Sequence, residues 1–262
     1  MKKISSQEAL EKIKNMGIAY VIEADSLNYL IEDEEEVECW ISDDMLITLN
    51  PSNGVTYVTV LPLCMTFSID ELISLIKEKS QKISMLINVQ ALSKEFIEVL
   101  NEKLESEFVY ERTLVDYLYK DELTLEPSGT IRLLSSEDKD IFVACSQEQI
   151  KNRPPLTVLF DVFVNRHQGQ ILAAFDQDKI VGYLSFNTIA SGVHDVDYIY
   201  VIPEMRGQGI GKKLAFAYAL YAKNHDYRAY WSNAKNEASE KTAMSCGFGV
   251  IRQAKKFVSK QA

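Results

Sequence analysis

The sequence is poor in the residues that would place it outside the ordinary globular classes. Its 262 residues include only 6 prolines and 11 glycines, too few for a collagen-like or low-complexity chain. No apolar run approaches the roughly 18–20 residues that a membrane-spanning helix needs. The opening Met1-Lys2-Lys3-Ile4-Ser5-Ser6-Gln7-Glu8 turns polar and acidic where a signal peptide would carry its apolar core. Four cysteines, Cys39, Cys64, Cys145 and Cys246, stand far apart without a CxxC pair and read as free packing thiols of a reducing compartment. The expectation is an intracellular, cytoplasmic protein with no membrane partner. His167, His194 and His225 share no metal-ligand spacing, so no metal is expected. No Lys/Arg cluster with interleaved aromatics occurs, which argues against a nucleic-acid partner.

What is present divides into two halves. Residues 1–129 hold 11 basic and 25 acidic side chains, a net charge of −14, and residues 130–262 hold 17 and 13, a net +4. Glycine follows the same divide, with three before residue 130 and eight after. Opposite charge in halves of nearly equal length predicts two domains, 1–128 and 129–262, with Glu126-Pro127-Ser128-Gly129 as the linker. The acidic run Glu32–Glu36 reads as a solvated loop.

The first half reads as a helix over Ile4–Met16, the acidic loop, and strands Val37–Ile41, Met45–Leu49 and Val55–Leu61. A helix capped by Ser68, strand Ser84–Val89, a helix capped by Ser93, and strands Phe108–Arg112 and Val115–Tyr119 follow. The second half reads as strand Thr130–Leu134, a helix from Ser135, a helix over Leu156–Asn165, and strands Ile171–Phe175, Ile180–Phe186 and Val196–Val201. After these come helix Lys212–Lys223, strand Tyr227–Ser232, helix Glu237–Cys246, and strands Phe248–Ile251 and Lys256–Val258. The order is βααβββαβαββ, a mixed α/β sheet of the α+β kind.

The most informative stretch is Pro203-Glu204-Met205-Arg206-Gly207-Gln208-Gly209-Ile210-Gly211-Lys212. A strand ends, three alternate glycines follow, and an amphipathic helix starts at once. Glycine lets the backbone turn tightly and approach a ligand, and the first-turn N–H groups and helix dipole favour an anion. The spacing fits neither the GxxxxGK[ST] of a P-loop nor the GxGxxG of a dinucleotide fold. Arg206-x-x-Gly209-x-Gly211 after a strand ending at Val201 resembles the acyl-CoA motif of the GNAT superfamily of N-acetyltransferases. That family's fold order is the one read across residues 130–262. Asn236 and Ser239, counted back from Gly247-Phe248, stand where the family carries Asn and a small residue.

The resemblance implies a geometry. Arg206 and the amides of Gly207, Gln208, Gly209, Ile210, Gly211 and Lys212 would hold the CoA pyrophosphate. Backbone groups of Ile199, Tyr200 and Val201 would pair with the pantetheine arm, and Asn236 and Ser239 would line the opposite wall. An amine would then attack the thioester directly, with a backbone N–H near Val201 facing the oxyanion. Asp195 and Asp197 share one side of a regular strand and stand as candidate bases, with His194 a weaker one. Many family members carry a general-acid Tyr four residues before Gly-Phe, where this chain has Ala243. That leaves Tyr198, Tyr200, Tyr230 or water as the acid.

The first half repeats this order with its first strand unclear, and Leu61–Ser68 replaces the phosphate loop without a glycine. It therefore reads as a degenerate GNAT-like repeat, an unrelated α+β domain being the alternative. The expected activity is N-acetyl transfer from acetyl-CoA to a primary amine on a small cationic molecule, by a tandem monomer or a homodimer. The alternative is a catalytically weak acyl-CoA sensor or scaffold. Aminoacyl transfer from tRNA fits less well, because the CoA loop is intact and a basic patch is lacking.

Overall fold

The computed structural model describes residues 1–79, 82–120, 130–145, 155–166, 169–190, 192–232 and 237–260. The linker expected at Glu126–Gly129, and with it the 128/129 boundary, lies outside the described residues, as do His167 and Asn236. The chain forms two compact units, Met1–Val115 with Ile251–Ala262, and Asp116–Val250.

The first half runs β1 (Lys2–Ile4), α1 (Ser6–Asn15), α2 (Val21–Glu32), β2 (Glu38–Ile41), β3 (Met45–Ser52), β4 (Val55–Pro62), α3 (Ile69–Lys79), β5 (Ile83–Asn88), α4 (Lys94–Glu105) and β6 (Phe108–Tyr119). The unclear first strand is thus β1. α1 starts where Ser5 Oγ accepts the Glu8 N–H at 3.1 Å and buries Ala9, Leu10 and Ile13. The sequence reading misses α2. Its buried positions are Val21, Glu23, Ala24 and Leu27, and a glutamate interrupts the apolar stripe. Glu23 is buried because Arg252 lies against it, with Nε donating to Oε1 at 2.7 Å. Only the fold supplies that partner. Asn53-Gly54, with φ of 52° and 74°, closes the β3–β4 hairpin as the left-handed turn favours.

The second half runs β7 (Ile131–Leu133), α5 (Lys139–Ala144), α6 (Leu156–Phe160, continued by a π-helical turn to Asn165), β8 (Gln170–Asp176), β9 (Lys179–Ala190), β10 (Val193–Val201), α7 (Ile210–Asn224), β11 (Arg228–Trp231), α8 (Glu237–Ser245) and β12 (Phe248–Ser259). Both halves therefore follow the order βααβββαβαβ. The two strands expected at the end of each half are in each case one long strand, β6 or β12. Those long strands explain how the units divide. In the first unit β1-β2-β3-β4-β5 is completed by β12, whose Ala254–Val258 pair with Asn88–Ser84. In the second, β7-β8-β9-β10-β11 is completed by the end of β6, with Tyr230 opposite Leu118 and Trp231 opposite Tyr117. Each half thus lends the end of its last strand to the other half's unit. Among the pairings of these strands, β4–β5 in the first unit and β10–β11 in the second are parallel, and the neighbouring ones are antiparallel.

Each unit has its own core. Met45, Ile47, Val60, Leu72, Ile87 and Leu100 pack in the first unit with Phe257 from β12. Phe142, Phe160, Ile171, Tyr183 and Tyr200 pack in the second. Cys39 and Cys246 are buried as expected, whereas Cys64 is exposed. Among the described residues no helix is long and apolar enough to cross a membrane.

Candidate functional site

The second unit holds a cleft of about 1120 Å³, and its origin is a strand pair that separates. β10 and β11 pair over three positions, from Val193 opposite Arg228 to Asp195 opposite Tyr230. β10 then continues to Val201, while β11 ends at Trp231. At the paired end the buried Tyr218 hydroxyl from α7 bridges the strands. It meets the carbonyls of His194 at 2.6 Å and Tyr230 at 2.9 Å, and accepts the Tyr230 N–H at 3.1 Å. One hydroxyl proton is shared by two carbonyls, and backbone groups that the ladder no longer serves are satisfied by a side chain.

A β-bulge lies in the same stretch of β10. Opposite β9, Val196 faces Phe186 and Tyr198 faces Ser185, so Asp197 is an extra residue. The sides of the sheet are exchanged beyond it. Tyr198 and Tyr200 pack at 5.9 and 5.7 Å from the Tyr183 ring, and Ile199 turns toward Gly211. Strict alternation would have put Tyr198 and Tyr200 on the other side from Asp195.

Beyond Val201 a short turn over Pro203–Met205 leads to the glycines. Gly207 and Gly209 both have φ of 79°, with open space where a Cβ would stand. Glycine is therefore required there by backbone conformation and not by crowding. Gly211 differs: a Cβ would meet Thr242 and Ile199 at ordinary contact distances of 3.8 and 3.9 Å. A crowded glycine beside this loop is Gly182 on β9, where a Cβ would stand 2.9 Å from the Tyr200 carbonyl and 3.2 Å from Ile210. Its bareness lets the start of α7 lie close to the sheet. No side chain caps α7, and its first turn holds no acidic residue. The amide groups of that turn, with Lys212 beside them on the cleft wall, form a positive terminus. Arg206 Nε donates to the Val201 carbonyl at 3.0 Å, and its guanidinium lies 5.8 Å from the Tyr200 ring, which fixes it at the cleft. The Gln208 amide instead folds onto Met205 Sδ at 3.6 Å.

Both candidate carboxylates line the cleft, in different settings. Asp195 is buried and accepts the Ser232 N–H at 2.8 Å and the Ser232 hydroxyl at 2.5 Å. Burial pushes its carboxyl up to about 7, with the Asp116 charge adding and the Ser232 hydrogen bonds opposing. Asp197 is exposed and accepts the Ser185 hydroxyl at 3.2 Å. Of the tyrosines, Tyr198 lines the cleft half-buried. Tyr230 is fully buried and donates to Asp116 Oδ2 at 3.1 Å, which makes it a structural donor. His194 stacks on Tyr227 at 3.8 Å, and burial first, then His225, lowers its pKa to about 4. It is a core side chain and not a cleft base.

On α8 the position of the family's usual tyrosine, Ala243, is fully buried, and Ala238, Ser239 and Thr242 face the cleft instead. Ser239 Oγ accepts the Trp231 indole N–H at 3.2 Å. Sequence reasoning missed Trp231, Ser232, Thr242 and Asn187, which share the cleft wall, and Asp116 behind them. No spacing links these residues; strand register and one helix face bring them together. Among the described residues no group of His, Cys, Asp and Glu is arranged to hold a metal ion.

The acetyltransferase (GNAT) family model matches residues 102–248. A GNAT-family acetyltransferase from Colwellia psychrerythraea superposes with a TM-score of 0.64 at 16% identity, covering 99% of both chains. A GCN5-related N-acetyltransferase from Sphaerobacter thermophilus gives 0.57 at 14% identity, over 98% of this chain and 94% of that one. A tandem GNAT protein from the clavulanic acid biosynthesis pathway gives 0.54 at 12% identity, over 97% and 93%. At such identities the likeness is one of fold, and it extends over both halves. No curated protein matches the sequence. The chain belongs to the GNAT acetyltransferase family, whose members draw on acyl-CoA, and has its tandem fold.

Proposed function

We propose that the second unit transfers an acyl group, acetyl in the simplest case, from acyl-CoA to the primary amine of a small cationic acceptor. The observation that carries this reading is one cleft in which an uncapped helix N-terminus and a buried carboxyl poised near neutrality occur together. The pyrophosphate would sit on the amides of Gly207 to Gly211 with Arg206 and Lys212 beside it. Ile199 to Val201, where β10 outruns β11, would pair with the pantetheine arm as an added strand. Ser239 would stand on the far wall.

In the reaction the amine nitrogen attacks the thioester carbonyl carbon. The N–C bond forms, the C–S bond breaks, and CoA leaves as a thiolate. The proton shed by the nitrogen goes to the Asp195 carboxylate, and the thiolate takes its proton from water. A backbone N–H of β10 near Val201 would face the developing oxyanion. A carboxyl that titrates near 7 suits proton acceptance at neutral pH. Asp197, exposed in the same cleft, supplies the negative charge that favours a cationic acceptor.

The test is thiol release from acetyl-CoA over a panel of amines, run beside calorimetry of CoA binding. Turnover of cationic amines is expected. Binding without turnover of any amine would move the reading to an acyl-CoA sensor, and absence of binding would overturn the glycine-loop assignment.

A further inference from the structure

We propose that Asp116, a residue outside the cleft, is a positioning residue for this reaction: a second buried carboxylate behind β11 that keeps Asp195 ready to take a proton. The inference rests on the reading of Asp195 as the base. Its ground is the strand register. β6 and β11 run antiparallel with Tyr230 opposite Leu118 and Trp231 opposite Tyr117, so Asp116 falls at the position opposite Ser232. Ser232 is the residue whose N–H and hydroxyl bind the Asp195 carboxylate. Asp116 is itself almost wholly buried and accepts the Tyr230 hydroxyl, and Tyr230 is the ladder partner of Asp195. Two buried carboxylates thus flank the last residues of β11, one facing the cleft and one behind.

Two like charges in a low-dielectric setting resist being present together, which raises the proton affinity of the one that can exchange with solvent. Asp195 lines the cleft and can exchange; Asp116 is held by Tyr230. The other groups around Asp195 do not supply this effect. From β9 its ladder partner is the neutral Asn187. From α7 it meets the Tyr218 phenol, whose pKa burial raises well above the ordinary value. From β11 it meets the Ser232 hydroxyl, and Asp197 on β10 is exposed and bound to Ser185.

The experiment is the pH dependence of kcat/KM for the full chain and four variants, Asp116→Asn, Asp116→Ser, Asp116→Glu and Asp195→Asn, with one acceptor amine that is itself neutral across the pH range scanned, so that the acid limb reports the enzyme alone. The serine variant keeps an acceptor for Tyr230 in less volume and serves if the asparagine does not fold. The wild type is expected to lose rate below about pH 7 as Asp195 protonates. Asp116→Asn or Asp116→Ser moves that acid limb to lower pH by roughly half a unit or more. Asp116→Glu restores it, and Asp195→Asn removes it. An acid limb that stays in place in the two neutral Asp116 variants, yet vanishes in Asp195→Asn, overturns the role of Asp116 and leaves the base intact. An acid limb that survives in Asp195→Asn overturns the base and this inference with it.

Discussion

In both halves of the chain a strand runs into a loop and then a helix, but the two helix N-termini are finished differently. α3 is closed from within: Ser68 Oγ accepts the Glu71 N–H at 3.3 Å, and Asp44 Oδ2 accepts the Ser68 N–H at 3.0 Å. Its first turn carries Asp70 and Glu71, so the positive end of the helix already has its anions. α7 has glycines at the corresponding place, no side-chain cap, and Lys212 and Lys213 in its first turn. The neighbouring strands differ in the same sense. β4 and β5 stay paired over five positions, from Thr56 opposite Ile83 to Val60 opposite Ile87. β10 and β11 separate after three. The same element order therefore gives a closed half and a half with an open cleft. The difference lies in a few side chains that either satisfy the polar ends or leave them available.

The sharpest way to break this comparison is at the glycine loop. Gly209→Glu places a strained, negatively charged residue at a left-handed position against the α7 terminus, and CoA affinity should fall by at least about 100-fold. Calorimetry on the wild type should give one CoA per chain. Two sites per chain would mean that the closed terminus of α3 is no barrier.

Next in size is Asp195→Asn, expected to lower kcat by about 100-fold, as loss of a general base does, with CoA affinity nearly unchanged. Its stability effect has the opposite sign. The raised pKa of Asp195 means that the folded state favours the neutral acid. That stabilisation is fully present below the unfolded value near 3.8 and is lost as pH rises through about 7. Thermal melts should show Asp195→Asn more stable than the wild type at pH 8, the two converging at acid pH.

A third change tests the clamp at the paired end of the cleft, where β10 and β11 begin to separate. Tyr218→Phe leaves the carbonyls of His194 and Tyr230 and the Tyr230 N–H without the hydroxyl, and should cost about 1–3 kcal/mol in denaturant unfolding. The smallest expected effect is on the closed side. Asp44→Ala should cost about 1 kcal/mol through the weakened start of α3 and leave CoA binding untouched. A change in CoA affinity would show that the two halves are not separate in function.

Much of this was legible in the residues. Ser93 and Ser68 cap the helices they were expected to cap, and Arg206, Gly207, Gly209, Gly211 and Lys212 do line one cleft with Asp195, Asp197 and Ser239. α2 was not legible, because Glu23 reads as polar until Arg252, far away in sequence, is placed against it. The bulge at Asp197 was not legible either, since an extra residue leaves no mark on alternation until the partner strand is known. Ala243 reads as a lost acid only if its helix face is assumed; the fold turns that position into the core.

By itself the sequence determined the local features: most of the element order apart from α2, the caps, the turns, and a glycine loop whose backbone needs are met by residues next to one another. Tertiary structure alone decided which half receives each last strand, where β10 parts from β11, and that Asp116 stands opposite Ser232. These are pairings between residues remote in the chain. Their energies come from register, burial and charge proximity, and these depend on distance in space and not on separation along the chain.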